Sequence, residues 1–177
     1  MDCPQCKGYK LEPAEIEPGL VAGVCPKCDG AMLSLMNYRY WMDQYGRVDD
    51  VDGEAVITED NGQVKVCPKC SRFMTKFQVG SATNNRIDLC TGCDEAWLDK
   101  GEWRLLKQLD LHDKLPKIFT DAWQRNIRIQ RQEERFKERY QDILGAEDFS
   151  KLDNFKVWLD GHAEKSHIKH YLITKFD

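Results

Sequence analysis

Eight cysteines constrain the fold of this 177-residue chain more than any other feature of its sequence. They form four Cys-x-x-Cys pairs, which begin at Cys3, Cys25, Cys67 and Cys90, and no thiol is left over. The first two pairs are 18 residues apart and the last two are 19 apart, and both spacings match a four-cysteine structural zinc site. An offset of 64 or 65 residues superimposes the two units, which indicates a degenerate internal duplication.

Four thiolates suit zinc, because a closed tetrahedral sulfur shell leaves no position for water and makes the site structural rather than catalytic. We therefore predict two zinc ions per chain. The predicted ligands are Cys3, Cys6, Cys25 and Cys28 for one ion and Cys67, Cys70, Cys90 and Cys93 for the other. The alternatives are iron in a rubredoxin-like shell, reduced free thiols, and a redox-active Cys-x-x-Cys. Ligand pairing between the units is a further alternative, but pairing within a unit closes shorter loops.

Composition and charge narrow the function and the compartment. A net charge of −4 argues against a general nucleic-acid binder coated in Lys and Arg. The sequence has no apolar run of about 18 residues, so we expect no transmembrane helix. Because Met1-Asp2-Cys3-Pro4 opens directly into a metal motif, we expect no signal peptide, reduced thiols and a cytoplasmic location.

The predicted fold class is a small zinc-bound β protein, made of two four-cysteine zinc ribbons, with an α-helical C-terminal region. We expect ribbons at 1–42 and 67–98, an acidic linker at 43–66, and a helical region of three or four helices at 99–177. The linker should contain a β-hairpin, in which 55–58 pairs with 63–66 across Asn61-Gly62. In the second ribbon, Arg72 to Val79 should pair antiparallel with Arg86 to Leu89.

Helical periodicity begins near Asp99 and predicts four segments. We expect helices from about 99 to 111, 117 to 144, 148 to 160 and 162 to 173. Pro116 fits the opening of the second helix and Gly145 fits its end.

The stretch AWLDKGEW, residues 96–103, contains two acids that could form a catalytic pair, but a structural interpretation explains more of it. Asp99 fits an N-cap, and Glu102 fits the reciprocal position of a capping box. Leu98 and Trp103 then occupy the two positions of a hydrophobic staple.

A basic stripe runs along the second predicted helix. Its arginines recur mostly at three- and four-residue steps; they are Arg125, Arg128, Arg131, Arg135 and Arg139. Such a stripe could contact phosphates or an acidic partner. Glu134 and Glu138 interleave with it, however, so a solvated and internally paired face is the alternative. The C-terminal histidines, His162, His167 and His170, are expected to be surface or capping residues rather than metal ligands.

The second unit, Cys67-Pro68-Lys69-Cys70 … Cys90-Thr91-Gly92-Cys93-Asp94-Glu95-Ala96-Trp97-Leu98-Asp99-Lys100-Gly101-Glu102, resembles the bacterial zinc-ribbon family named after the zinc finger of transcription factor IIB. The resemblance covers about 66–107, and 1–42 more loosely as a second copy. It implies a small zinc-binding ribbon, and its name suggests transcription. Family knuckles often have Gly after the second Cys, whereas this chain has Lys7, Asp29, Ser71 and Asp94. The first unit has Ala31-Met32-Leu33-Ser34 where the tail should be, so no helix is expected there.

No nucleophile–base pair, phosphate loop or open-shell metal site is visible, so we expect a non-enzymatic protein, with thiol redox chemistry as the one exception. The leading hypothesis is a binding module that contacts nucleic acid or the transcription machinery. The alternative is a protein–protein adaptor whose helices dock a partner while the ribbons act as scaffold. Neither a membrane nor a small-molecule substrate is expected.

Overall fold

The computed structural model describes residues 1–45 and 62–175, and these form a mainly antiparallel sheet with helices. The strands are β1 (Glu12–Glu17), β2 (Leu20–Val24), β3 (Ala31–Ser34), β4 (Thr75–Gln78), β5 (Arg86–Cys90) and β6 (Glu95–Leu98). The helices are α1 (Leu35–Tyr45), α2 (Glu102–Gln108), α3 (Leu115–Ile118), α4 (Asp121–Leu144), α5 (Ala146–Asp160) and α6 (Lys165–Ile173).

All six strands belong to one sheet, in the order β1-β2-β3-β6-β5-β4. We call residues 1–45 the first repeat and 62–108 the second repeat. Each repeat contributes three strands, and the repeats join where β3 pairs antiparallel with β6. The sequence does not predict this joining, because the two units read as separate ribbons.

The register of the central pair reveals an approximate two-fold symmetry. Met32 pairs with Trp97, and these two residues occupy corresponding positions in the repeats, 65 residues apart. Ala31 pairs with Leu98 and Leu33 with Ala96, so the pairs on either side exchange under the same offset. The duplication seen in the sequence is therefore built around an axis between β3 and β6.

Side chains of the central strands alternate between two buried clusters, as the two-residue period of a strand requires. Ala31 and Leu33 face the helices with their partners on β6, whereas Met32 and Trp97 face the cysteines. The helix-side cluster also includes Leu35, Tyr38 and Trp41 of α1, Leu106 of α2, and Leu115 and Ile118 of α3. The sheet is thus covered by helices on one face and by the cysteines on the other.

Several predicted elements are confirmed and others are corrected. The predicted hairpin of the second ribbon forms as β4 and β5, with Thr75 opposite Leu89 and Gln78 opposite Arg86. The predicted hairpin at Asn61-Gly62 lies outside the described residues, apart from 62–66, where Val66 forms an isolated bridge with Phe73. The first repeat does contain a helix, α1, and its last residues occupy the start of the predicted linker.

The C-terminal helices lie near their predicted places, with one division. The helix predicted from 117 to 144 is two helices, α3 and α4. Thr120 separates them, and its Oγ1 accepts a hydrogen bond from the backbone N–H of Trp123 at 3.2 Å, which caps α4. Gly145, predicted to end this helix, adopts a positive φ of 78° between α4 and α5.

The chain divides into two compact units, Met1–Arg128 and Ile129–Asp177. The first contains the sheet, α1 to α3 and the first turns of α4. The second contains the remainder of α4, with α5 and α6. Within the described ranges, none of the helices is both long and apolar enough to cross a membrane.

Candidate metal centres

The eight cysteines lie in two groups of four, as the spacing predicts. We call Cys3, Cys6, Cys25 and Cys28 the first tetrad, and Cys67, Cys70, Cys90 and Cys93 the second tetrad. Within each tetrad all four sulfurs lie within 4.8 Å of one another. All eight cysteines are free, the first of each pair being buried and the second half-buried.

The sulfur spacing fits a tetrahedral metal. A zinc–sulfur bond of about 2.3 Å in a regular tetrahedron places neighbouring sulfurs about 3.8 Å apart. The Sγ atoms of Cys3 and Cys28 are 3.8 Å apart, and those of Cys70 and Cys90 are 3.4 Å apart. Each tetrad can therefore hold one ion with only small adjustments of its side chains.

Tight backbone turns aim the sulfurs inward. The residue after the second cysteine has a positive φ in three of the four turns, at Asp29, Ser71 and Asp94. In each of these turns that residue's N–H donates to the carbonyl oxygen of the first cysteine, at 2.8–2.9 Å. The glycine expected at this position is thus absent, but the left-handed conformation is kept by residues that tolerate it.

The first turn solves the same problem with one residue more. Here the positive φ falls on Gly8, and Cys3 N–H donates to Tyr9 O, whereas Cys67 N–H donates to Arg72 O, one position earlier in its own turn. The N–H groups of Gln5 and Cys6 still point at Cys3 Sγ, at 3.4 and 3.2 Å. Donors of this kind stabilise a thiolate, which is the form that binds metal.

The thiol pKa values diverge within each tetrad. In Cys25, burial raises the pKa, but the N–H groups of Cys28 and Lys27 outweigh it and lower the pKa to about 7. In Cys70, the N–H of Arg72 and the neighbouring thiols lower the pKa to about 7. The shared hydrogen bond with Cys70 and burial raise the pKa of Cys93 to about 12. Without metal, each tetrad thus holds its remaining protons tightly, and a metal ion has to displace them.

The two tetrads share one buried cluster. Around the cysteines this cluster contains Leu11, Met32, Met74 and Trp97. Leu11 and Met74 each lie one residue before the first strand of their repeat, so they also obey the two-fold relation. Met32 and Trp97 lie at the axis and belong to the surroundings of both tetrads.

Trp97 of the second repeat packs on the turn that carries two ligands of the first tetrad. A Cβ atom added to Gly30 would lie 2.8 Å from Cη2 of this indole and closer still to Cζ2. Gly30 also accepts a backbone hydrogen bond from Cys25 at 2.9 Å. Glycine is therefore required at this position by the close approach of the ring, rather than by its backbone angle.

Two further contacts tie each repeat to the other's last turn. Leu35 N–H donates to Asp94 O at 2.9 Å, and Lys100 Nζ lies 2.8 Å from Asp29 Oδ2. Leu35 corresponds to Lys100, and Asp29 to Asp94, under the 65-residue offset. The same junction is thus made by a backbone hydrogen bond in one half and by an ion pair in the other.

A buried charge network lies beside β5 and β6. Lys65 is 2% exposed, and its Nζ lies 2.9 Å from Asp88 Oδ2 and 3.0 Å from Asp99 Oδ2. Burial alone would lower the pKa of Lys65, but the two carboxylates raise it above its ordinary value. Lys65 is therefore charged, and it fastens the segment before the second tetrad to the sheet.

The acids of AWLDKGEW have structural roles that differ in part from the prediction. Asp99 is not an N-cap, because α2 begins at Glu102 with Gly101 before it in a left-handed conformation. Its carboxylate instead accepts from Trp97 Nε1 at 2.7 Å and from Lys65. Half of the capping box does form, since Glu102 Oε2 accepts from the Asp99 N–H at 2.7 Å.

The predicted staple residues both join the helix-side cluster. Leu98 is buried there, and Trp103 packs against that cluster. The Trp103 ring lies edge-on to Trp41 at 5.9 Å, and its Nε1 donates to Glu17 Oε2 at 2.8 Å.

The other predicted contact residues lie outside the tetrads. Four of the five arginines of α4 are exposed, and Arg131 is half-buried. Of the histidines, His162 Nδ1 accepts from the Glu164 N–H at 3.0 Å, and His167 Nδ1 lies 2.7 Å from Glu164 Oε2. In the part of the chain that the structure describes, no potential metal-binding group includes these C-terminal histidines.

Sequence reasoning missed the interdigitation of the repeats. The contact of Gly30 with Trp97 and the Lys65 network join residues far apart in the sequence. One available signal was the period-two alternation in Ala31–Ser34 and Glu95–Leu98, where small and large apolar residues recur at corresponding positions. The position of Lys65 had no such signal.

No family model, curated protein or solved structure matches this chain. What it binds is therefore inferred from its own residues.

Proposed function

We propose that this chain is a non-enzymatic module in which two zinc ions hold one sheet together and the C-terminal helices bind a protein partner. Closed four-thiolate tetrads support the first part, because four sulfur ligands fill the coordination of zinc and leave no place for water or substrate. Membership of the zinc-ribbon family named after transcription factor IIB remains part of the proposal. Its support is the run from Cys67 to Glu102.

The observation that favours a protein partner is the lack of a core in the second unit. Of the described residues from 129 to 175, only Leu159 is a buried apolar residue. The large apolar side chains exposed there are Ile129, Phe136, Tyr140, Ile143, Leu144, Leu152, Phe155, Val157, Trp158, Tyr171, Leu172 and Ile173. A helical unit of this size needs more buried apolar surface to be stable, and contiguous exposed apolar surface is typical of protein interfaces.

Aromatic side chains give this surface the composition of a binding site. Phe136 and Tyr140 pack at 4.5 Å on α4, and Phe155 and Trp158 pack at 5.4 Å on α5. Their rings are about 37–57% exposed, so each pair presents most of a face to solvent. Aromatic residues dominate the energetics of protein interfaces, because they bury much area at low entropic cost.

Nucleic-acid contact is the second candidate, and the geometry of α4 favours it. At about 100° per residue, the five arginines from Arg125 to Arg139 fall within an arc of about 120°. Asp142 falls in the same arc, and Glu138 lies at its edge. A phosphate-binding face is therefore present but partly neutralised.

Two matched variants distinguish the candidates in the full-length, zinc-loaded chain. The double variant Phe136→Ser with Trp158→Ser should abolish capture of the partner by a photo-crosslinker placed at Gln132, while Gln141→Ser should leave it unchanged. The triple variant Arg128→Glu, Arg131→Glu and Arg135→Glu tests the second candidate. Its control, Lys151→Glu, Lys165→Glu and Lys169→Glu, changes the net charge by the same amount.

The outcomes exclude each other. Protein crosslinks that persist at high salt and disappear only in the double variant support the protein partner. Recovery of nucleic acid that falls steeply with salt, and disappears only on arginine reversal, overturns it in favour of the second candidate.

A further inference from the structure

The loop between α2 and α3 brings together a third group of potential metal ligands, separate from the tetrads. One ligand atom from each of Asp110, His112 and Asp113 lies within 4.8 Å of the other two. Proximity of carboxylates alone would mean little, since exposed acids often cluster. The group is distinguished by the state of its histidine.

His112 is 5% exposed, and neither of its ring nitrogens has a hydrogen-bond partner. Burying such a polar group unsatisfied costs about 1–3 kcal/mol, so a native structure rarely leaves one without a role. The loop is held in place by its backbone, because Tyr38 Oη donates to His112 O at 2.7 Å. The imidazole is thus fixed beside two carboxylates, and a metal bond would satisfy one of its nitrogens.

A cationic side chain already marks the location. Lys114 Nζ lies 3.6 Å from Asp110 Oδ2 and 3.6 Å from Asp113 Oδ1. Both distances exceed a normal hydrogen bond, so this ammonium neutralises the carboxylates at longer range. Lys114 is therefore a built-in competitor that a divalent ion has to displace.

We propose that Asp110, His112 and Asp113 form a third metal site, which binds a divalent first-row cation through one imidazole and two carboxylates. This donor set suits Mn²⁺, Fe²⁺ or Zn²⁺, and it differs from the tetrads in leaving coordination positions for water. The proposal is independent of the function assigned to the helices, because all three ligands lie in the first unit.

The test adds Mn²⁺ to the full chain after both tetrads are loaded with zinc. Mn²⁺ prefers oxygen and nitrogen ligands and binds more weakly than zinc, so it leaves the thiolate tetrads occupied. Loss of the free Mn²⁺ signal in electron paramagnetic resonance should show one saturable site per chain. The His112 ring protons should broaden in the NMR spectrum as Mn²⁺ binds.

Three variants make the result specific. Asp110→Asn should weaken Mn²⁺ binding by at least about tenfold, which is the loss expected when even an outer-shell partner is removed. The Asp110 side chain is 68% exposed, so this change should leave the fold intact. Asp142→Asn, which removes an exposed acid from α4, is the matched control and should change nothing. Lys114→Met should tighten binding, because it removes the competing ammonium.

The proposal is wrong if the zinc-loaded chain shows no saturable Mn²⁺ site at millimolar concentration. It is equally wrong if Asp110→Asn and Asp142→Asn bind alike, or if His112 fails to broaden. Each of these results would mean that Lys114 alone serves the two carboxylates.

Discussion

Replacing Gly30 by alanine tests the interlocking of the two repeats. The added Cβ would lie 2.8 Å from Cη2 and 3.0 Å from Cε2 of the buried Trp97 indole, closer than real Cβ contacts allow. The indole cannot retreat freely, because its Nε1 donates to Asp99 at 2.7 Å. Overpacking of this kind costs roughly 1–3 kcal/mol. For a unit of this size, that lowers Tm by roughly 3–6 °C for each kcal/mol.

The assay is thermal and denaturant unfolding of the zinc-loaded chain, with Gly80→Ala as the matched control. A Cβ at Gly80 meets its nearest atom, Thr83 Cγ2, at 4.0 Å, so this control should keep the wild-type Tm within a few degrees. Because Gly30 lies beside Cys25 and Cys28, Gly30→Ala should also speed release of zinc to a chelator from the first tetrad. Release from the second tetrad should change less.

A double-mutant cycle assigns the effect to Trp97. On a Trp97→Leu background the cost of Gly30→Ala should fall toward that of Gly80→Ala, because the clashing ring is gone. Wild-type stability of Gly30→Ala, or an equal cost on both backgrounds, would refute the packing of one repeat on the other's metal turn.

Two further predictions concern buried charges. Lys65→Met should lower the free energy of unfolding by about 3 kcal/mol, the low end for breaking a buried ion pair, because Lys76 Nζ still lies 3.2 Å from Asp88; Lys100→Met, which removes the exposed pair with Asp29, should cost less than about 1 kcal/mol in the same denaturant titration. Burial raises the pKa of Glu102 to about 8, so its contribution to stability is fully present below its unfolded pKa and is lost as pH rises through about 8. Glu102→Gln should therefore gain stability relative to wild type between about pH 5 and 8, in unfolding curves recorded with zinc in excess, and a constant difference across that range would contradict the assigned protonation.

Local signals predicted much of what is local in this fold. The cysteine spacing predicted both tetrads, and alternation with a turn at Gly80 predicted the pairing of β4 with β5. The C-terminal helices were predicted within a few residues, except that the Thr120 cap divides one of them. These features depend on residues that are near neighbours in the sequence.

What was missed depends on contacts between distant residues. The first repeat lacks the Trp-Leu-Asp tail, yet α1 forms there, because Leu35, Tyr38 and Trp41 bury themselves against the sheet. Asp99 has the chemistry of an N-cap, but Lys65 and Trp97 provide its carboxylate with stronger partners in a buried place. The joining of β3 to β6 follows only once the two units are recognised as halves of one sheet.

The central claim is that two closed four-thiolate zinc sites hold this sheet. X-ray absorption at the zinc edge, with the zinc-to-protein ratio of the same gel-filtered sample, tests it most directly. We expect two zinc ions per chain, each with four sulfur neighbours at about 2.3 Å and no nitrogen or oxygen ligand. One tightly held ion, none, or a first shell containing nitrogen or oxygen would contradict the account.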